Sequence, residues 1–258
     1  MKICFVSDLH IDIGSQPKIE WPEADILVIT GDTANSLGGV QKLFKSIAGR
    51  YQHVLYVSGN HEHYSNSPQN RTVAETEAKL AAIVAEAGGI YLPTVDHVQI
   101  GDLYFVGRNG WYSMDYDGRL NINEVKWREN MNDNRWIGFD KIHQPMPWEL
   151  AKTHAADFDR IMGDIIARDP SARIVAMTHT APTLETLSSL PEHACMNDFY
   201  VNMNMQTVID NHSTNIMVWA HGHTHYRQDK RVQGIEFIVN PRGYPYENPN
   251  WEPVVIDY

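Results

Sequence analysis

Histidines, carboxylates and one asparagine recur in this chain in short runs. These are Asp8-Leu9-His10, Gly31-Asp32, Gly59-Asn60-His61-Glu62-His63, a lone His179 after Thr178, and His221-Gly222-His223-Thr224-His225. Neutral imidazoles, carboxylates and amide oxygens are donors for hard and borderline divalent metals. Side chains two apart in an extended segment point the same way, so His223 and His225 are expected to face a common metal centre. Asp8 and His10 share that spacing. Asp8, His10, Asp32, Asn60, His61, His179, His223 and His225 together are too many donors for one ion. They suit two ions that share a carboxylate, ~3.5–4 Å apart. Such a pair lowers the pKa of a bound water, clamps a phosphoryl group and stabilises the charge of an in-line displacement.

Each run follows a predicted strand. Residues 3–6, 24–32, 53–57, 173–177 and 216–220 are short apolar stretches of the kind found in strands covered on both faces. A further strand, 103–106, leads into Asn109-Gly110-Trp111, and shorter ones are expected at 90–92, 98–100, 236–239 and 254–256. Apolar residues at helical spacing predict helices over 39–50, 72–88 and 148–168, with a short one near 205–212. Strands alternating with helices give an α/β fold, in which ligands bind beyond the carboxyl ends of the strands. Residues 113–147 break the rhythm and predict a long irregular loop, ordered near the substrate, with Trp127, Trp136 and Trp148 available to pack. No linker or repeat divides the chain, so a single domain over 1–258 is expected.

Taken in order, these runs resemble the motifs of the calcineurin-like metallophosphoesterase family: Asp8-x-His10, Gly31-Asp32-x-x-Asn35, Gly59-Asn60-His61-Glu62, a lone His179, and Gly222-His223-x-His225. The block after Asp32 continues Ala34-Asn35-Ser36, unlike the Asp-Arg-Gly of the Ser/Thr protein phosphatases, so the resemblance is not to that branch. The resemblance implies a four-layer α-β-β-α sandwich with two central mixed sheets and a metal site at the C-terminal strand ends. It also implies that Asp8, His10 and His225 hold one metal and Asn60, His179 and His223 the other. Asp32 and a hydroxide would bridge them. His61 would protonate the leaving group rather than ligate, and Glu62 would orient a neighbour. His63, Tyr64, Asn109 and Trp111 are further candidates for substrate contact, and Arg135 for a phosphate-binding guanidinium. His221 is expected to be packed. His53, His97, His143, His154, His193 and His212 fall outside the pattern and are expected in core or solvent.

The chain has 258 residues, 43% of them hydrophobic and 21% charged, enough for a sizeable core. A formal charge of −11 disfavours nucleic acid and anionic membrane as partners and leaves a small phosphorylated substrate as the expected one. No apolar run is long enough to span a bilayer, and the first residues turn polar too early for a secretory signal. Only Cys4 and Cys195 occur, too few for a four-thiolate zinc site; a buried reduced thiol at Cys4 and a cytoplasmic location are expected. The cofactors expected are two divalent ions, manganese first, since mixed nitrogen–oxygen sites also accept Fe, Zn or Ni. The expected activity is hydrolysis of a phosphomonoester or phosphodiester. A nuclease acting on short or single-stranded nucleic acid is the alternative, and a non-catalytic binding scaffold the distant one.

Overall fold

Ile3 and Phe5 point to one side of the first strand and Cys4 and Val6 to the other, and all four are buried. A strand buried on both faces needs a layer on each. The structure is a computed structural model that describes residues 1–115, 120–139, 144–187 and 197–258. In chain order its elements are β1 (Lys2–Val6), β2 (Ile26–Thr30), α1 (Leu37–Ile47), β3 (His53–Val57), α2 (Val73–Glu86), β4 (Ile90–Tyr91), β5 (Val98–Ile100) and β6 (Leu103–Gly107). There follow α3 (Leu120–Asn130), α4 (Asn132–Trp136), α5 (Pro147–Arg168), β7 (Arg173–Met177), α6 (Met205–His212), β8 (Ile216–His221), β9 (Gln228–Val232), β10 (Ile235–Val239) and β11 (Val254–Asp257).

The strands form two mixed sheets, ordered β11-β1-β2-β3-β4 and β5-β6-β7-β8-β10-β9. Their inner faces meet in one core, where Ile3, Phe5, Val28 and Leu55 pack with Phe105, Val175, Met177 and Val218. Cys4, Val6, Leu27 and Ile29, on the opposite face of the first sheet, pack under α1 and α2. Ile174, Ala176 and Trp219 pack under α5 and α6 on the second. This is the expected α-β-β-α order. β1, β2 and β3 run parallel, as do β6, β7, β8 and β10, so their carboxyl ends collect at one edge. There the Ser7 amide donates to Asn240 O (3.1 Å) and the Arg242 amide to Ser7 O (3.0 Å), joining the two sheets.

The segment 113–147, of which 116–119 and 140–143 lie outside the described residues, is helical in part where an irregular loop was expected. It contains α3 and α4, and α3 carries an Arg128–Glu124 ion pair one turn apart (2.6 Å). Trp127 is buried between Phe139 and Trp148, with ring centroids 5.9 Å apart in both pairs, in a cluster with Trp111 and Phe199. Trp136, in contrast, is 42% exposed. The strand β9, Gln-Asp-Lys-Arg-Val, forms a charged sheet edge of the kind that resists pairing with other chains. Among the described residues no helix is long and apolar enough to cross a membrane. Cys4 is buried and free, and burial pushes its thiol up to about 12. Cys195, His143 and His193 lie outside the described residues.

Candidate metal centre

The strands stop abruptly at the site. Asp8, His10, Asp32, His223 and His225 all have left-handed backbones, with φ of 50°, 41°, 51°, 67° and 49°. Each such residue costs about 1–3 kcal/mol and persists only where surrounding structure enforces it. The enforcement is visible in the Asp8 amide donating to Gly31 O and the His10 amide to Asp32 O, both at 3.0 Å. The expectation that His223 and His225 face one centre by strand alternation fails here. β8 ends at His221, and the two left-handed residues turn the imidazoles to different places. Glycine is required where the turns crowd together: a Cβ at Gly59 would collide with the Asp32 carboxylate, and one at Gly222 with that of Asp8.

Two donor sets result. Asp8, His10, Asp32 and His225 form one and Asp32, His179 and His223 the other; within each set the donor atoms lie within 4.8 Å of one another. Asp32 belongs to both. Its Oδ2 lies 3.8 Å from His10 Nε2, and its Oδ1 lies 3.3 Å from His179 Nε2. Asn60 Oδ1 joins the second set, 3.1 Å from His179 Nε2.

The remaining ring nitrogens fix which atoms face inward. His179 Nδ1 donates to Thr30 O (2.9 Å), His223 Nε2 to Phe199 O (2.9 Å), and His225 Nδ1 to the Glu247 carboxylate (2.6 Å). These partners can only accept, so each ring's other nitrogen turns a lone pair inward. His179 Nε2 therefore confronts His223 Nδ1 lone pair to lone pair at 3.1 Å, while the inward lone pair of His225 Nε2 faces His10 Nε2 at the same distance, the His10 Nδ1 having no partner that sets its tautomer. Lone pairs converging in a buried space repel one another unless a cation lies between them or protons are taken up. The residues fit two divalent ions, with outer partners of the kind that orient metal-bound histidines.

Proton uptake fills the same need without metal. Burial by itself would lower His179 and His225, yet the Asp32 charge lifts His179 to about 9, and hydrogen bonds to Asp8 and Glu247 lift His225 to about 10. Burial keeps His10 at about 3 and His223 at about 4. Asp8 is held at about 2 by the His225 hydrogen bond against the effect of burial.

His61 stands beside both sets without joining either. Its amide donates to Asp32 Oδ1 (2.9 Å), its Nδ1 to Asn35 Oδ1 (2.5 Å), and its Nε2 meets the Tyr244 hydroxyl at 3.2 Å. Glu62 is buried and accepts from the amides of Gly59 (2.7 Å), Asp32 (3.1 Å) and Thr33 (2.5 Å), tying the β2 turn to the β3 turn. Burial, then the Asp32 charge, push Glu62 up to about 7 against the pull of those donors.

Of the other candidates Tyr64 lines the cavity, and the rest are placed away from it. His63 is buried against Trp111, with centroids 5.4 Å apart, and burial holds its ring at about 3. Asn109 donates to Ser58 O (2.8 Å) and, through its own carbonyl, receives the His179 amide (2.7 Å), so it supports the β7 turn. Trp111 is fully buried, and Arg135 is exposed on α4, outside the cavity lining. His221 is packed, 2.9 Å from Thr186 Oγ1. His154 is buried on Gly110 N, and His212 pairs with Asp159 on the surface.

Sequence reasoning missed three residues. Glu247 orients His225, and Tyr244 meets His61. Asp133 is fully buried and receives Asn60 Nδ2 (2.8 Å), the Tyr64 hydroxyl (2.7 Å) and the Tyr112 hydroxyl (2.6 Å). A carboxylate can face only the NH₂ side of an amide, so Asp133 turns the Asn60 oxygen toward His179. Asp133 lies in the supposed loop, and only the density of Asn, Asp and Trp there hinted at a role. All three line a cavity of about 490 Å³ together with Asp32, His61, Tyr200 and Tyr226.

A family model described as calcineurin-like phosphoesterase matches residues 1–227. An uncharacterized protein of Acanthamoeba polyphaga mimivirus, L509, is 24% identical, over 96% of this chain and 93% of its own length. Among solved structures, a phosphopantetheinyl hydrolase of Mycobacterium tuberculosis superposes with a TM-score of 0.80 at 17% identity, covering 99% of this chain and 95% of that one. A dimetal phosphatase from Danio rerio gives 0.53 at 10% identity, covering 93% and 87%. At these identities the structural matches speak to the fold.

Proposed function

We propose that this chain, which belongs to the calcineurin-like phosphoesterase family and is a dinuclear metallophosphoesterase, hydrolyses a small phosphate ester in the cavity above Asp32. In this reading Asp8, His10, Asp32 and His225 hold one divalent ion, and Asp32, Asn60, His179 and His223 the other. The observation that carries it is the division of donors into two largely buried sets sharing only Asp32, with the lone pairs of His179, His223 and His225 turned inward. Bound there, two divalent ions supply Lewis-acid charge to the phosphoryl oxygens and a water of lowered pKa.

The protein's own groups do the rest. Asn35 accepts from His61 Nδ1, which aims Nε2 at the cavity, where a proton on Nε2 can pass to the departing oxygen. The Tyr244 hydroxyl sits at the position on Nε2 that this oxygen would take. Glu62 and the left-handed turns hold Asp32 and His61 in register, which lets the site receive developing charge without reorganising. Glu247 and Asp133 keep His225 and Asn60 in ligating orientation.

The test is a hydrolysis panel in manganese, spanning phosphomonoesters, cyclic nucleotides, linear diesters and, because of the fold neighbour's name, a phosphopantetheinyl ester. No turnover across the panel refutes the reading. His61→Ala is expected to retain both ions and to lose ~10²–10⁴-fold in kcat on alkyl leaving groups, with a smaller loss on p-nitrophenyl ones. Loss of an ion in that variant would instead make His61 a ligand.

A further inference from the structure

We propose that the substrate is a phosphodiester, whose leaving alcohol lies in a second cleft beyond His61 while the retained ester group stays over the donor sets. This rests on the hydrolase reading above. The metal-facing cavity, about 490 Å³, adjoins a cleft of about 840 Å³. The two share His61, Tyr64, Asn132 and Tyr244 as a common wall. In an in-line displacement the attacking and leaving oxygens lie on opposite sides of phosphorus. The oxygen that receives the His61 proton must touch Nε2, so the group it carries extends past that wall into the second cleft. The retained group has its own space on the near side, toward Tyr200 and Tyr226. A monoester would leave one of these spaces empty.

Charge points the same way. A phosphomonoester is largely dianionic at neutral pH, whereas a diester carries one negative charge. Among the described residues lining the metal-facing cavity there is no lysine or arginine, while Asp133 and Glu247 join Asp32 there. Beyond the two ions, that lining offers the second anionic oxygen of a monoester no cationic side chain to clamp it. Arg71 lies in the leaving-group cleft, where its Nη2 donates to Tyr64 O (2.5 Å). The walls of that cleft are Trp136, Tyr64, Tyr244 and Leu37, with Asn66 and Asn132 at their edges. They fit an alcohol with a planar or apolar body and a few hydrogen-bonding groups.

The step balances simply. Water adds to phosphorus and the bond to the leaving oxygen breaks. The His61 proton goes to that oxygen, the attacking water gives up one proton to solvent and His61 takes one back from it, and the products are one alcohol and one phosphomonoester, itself a poor substrate.

The test compares bis(p-nitrophenyl) phosphate with p-nitrophenyl phosphate, which share a leaving group. The diester is expected to exceed the monoester in kcat/KM by about 10- to 100-fold, the equivalent of leaving one charged oxygen unpaired. An equal or faster monoester overturns the inference, and hydrolysis of neither refutes the hydrolase reading itself. Calorimetry on the manganese-loaded His61→Ala protein provides a readout apart from turnover. Monoanionic methyl phenylphosphonate is expected to bind more tightly than dianionic phenylphosphonate, and the reverse order overturns the proposal. Placement of the leaving group is read from Trp136→Ala, using methyl p-nitrophenyl phosphate beside the bis compound. KM is expected to rise by about 2- to 10-fold for both, since both set an aryl leaving group against Trp136. A rise confined to the bis compound, or no rise, overturns the assignment of the cleft.

Discussion

Asp133 makes no contact with an ion in the proposed centre, yet its removal should weaken the protein's hold on one metal of the two. Its carboxylate receives Asn60 Nδ2 at 2.8 Å and two tyrosine hydroxyls at 2.7 and 2.6 Å, in a position with no solvent access. Hydrogen bonds to a charged acceptor contribute ~1.5–3 kcal/mol each and neutral ones ~0.5–1.5, so Asp133→Asn should lose ~1 kcal/mol at the Asn60 contact. That contact distinguishes the ligating amide orientation from the flipped one, so affinity for the second ion should fall ~5-fold. Asp133→Ala removes the charged acceptor from Asn60 Nδ2, leaving it only the longer bond to the Tyr64 hydroxyl (3.3 Å), and leaves the buried Tyr112 hydroxyl without its acceptor, with an expected loss of ~10- to 100-fold. The assay is manganese titration followed by calorimetry and electron paramagnetic resonance, which resolves two binding steps in one protein. Asp8, His10 and His225 do not touch Asp133, so the first step serves as an internal control for folding. A folded Asp133→Ala protein that binds both ions with unchanged affinity would refute the reasoning.

Other consequences concern the remaining supports. Glu247→Gln replaces the acceptor of the 2.6 Å bond from His225 Nδ1 and should weaken the first ion ~10-fold or more while sparing the second, as read by the same titration. In the metal-free protein His179 and His225 hold protons up to about 9 and about 10, whereas His10 and His223, at about 3 and about 4, do not. Each ion must therefore displace a proton below those values. Calorimetry in buffers of different ionisation enthalpy should show release of about two protons at pH 7, with affinity falling as pH falls. Affinity that is flat between pH 6 and 9 would contradict this. Gly59→Ala places a methyl against the Asp32 carboxylate, and metal analysis after dialysis should find fewer than two ions retained; full occupancy would show that the β3 turn can yield.

Much of this protein is determined locally. Short apolar strands ending in Asp8, Asp32, Asn60, His179 and His223 are visible in the sequence because strand burial leaves a continuous apolar run and the donors follow it directly. The three well-patterned helices are visible for the same kind of reason, since their apolar faces repeat at the helical period. α3 escaped that reading: among its described side chains Asn123 and Trp127 are the buried ones, while its apolar Ile122 and Val125 face solvent, so no apolar period stands out.

Tertiary structure decided the rest. Alternation set His223 and His225 on one side, but left-handed turns at both send them to different donor sets, and backbone strain of that kind is imposed by distant partners such as Asp8. Asp133 lies 73 residues from Asn60, and Tyr244 lies 183 from His61. Nothing in the local sequence marks either one, because a lone Asp or Tyr in a polar segment gains its meaning only from what packs against it. The sequence determined which atoms could hold metal. The folded chain decided which lone pairs face inward, because that depends on what each ring's other nitrogen touches.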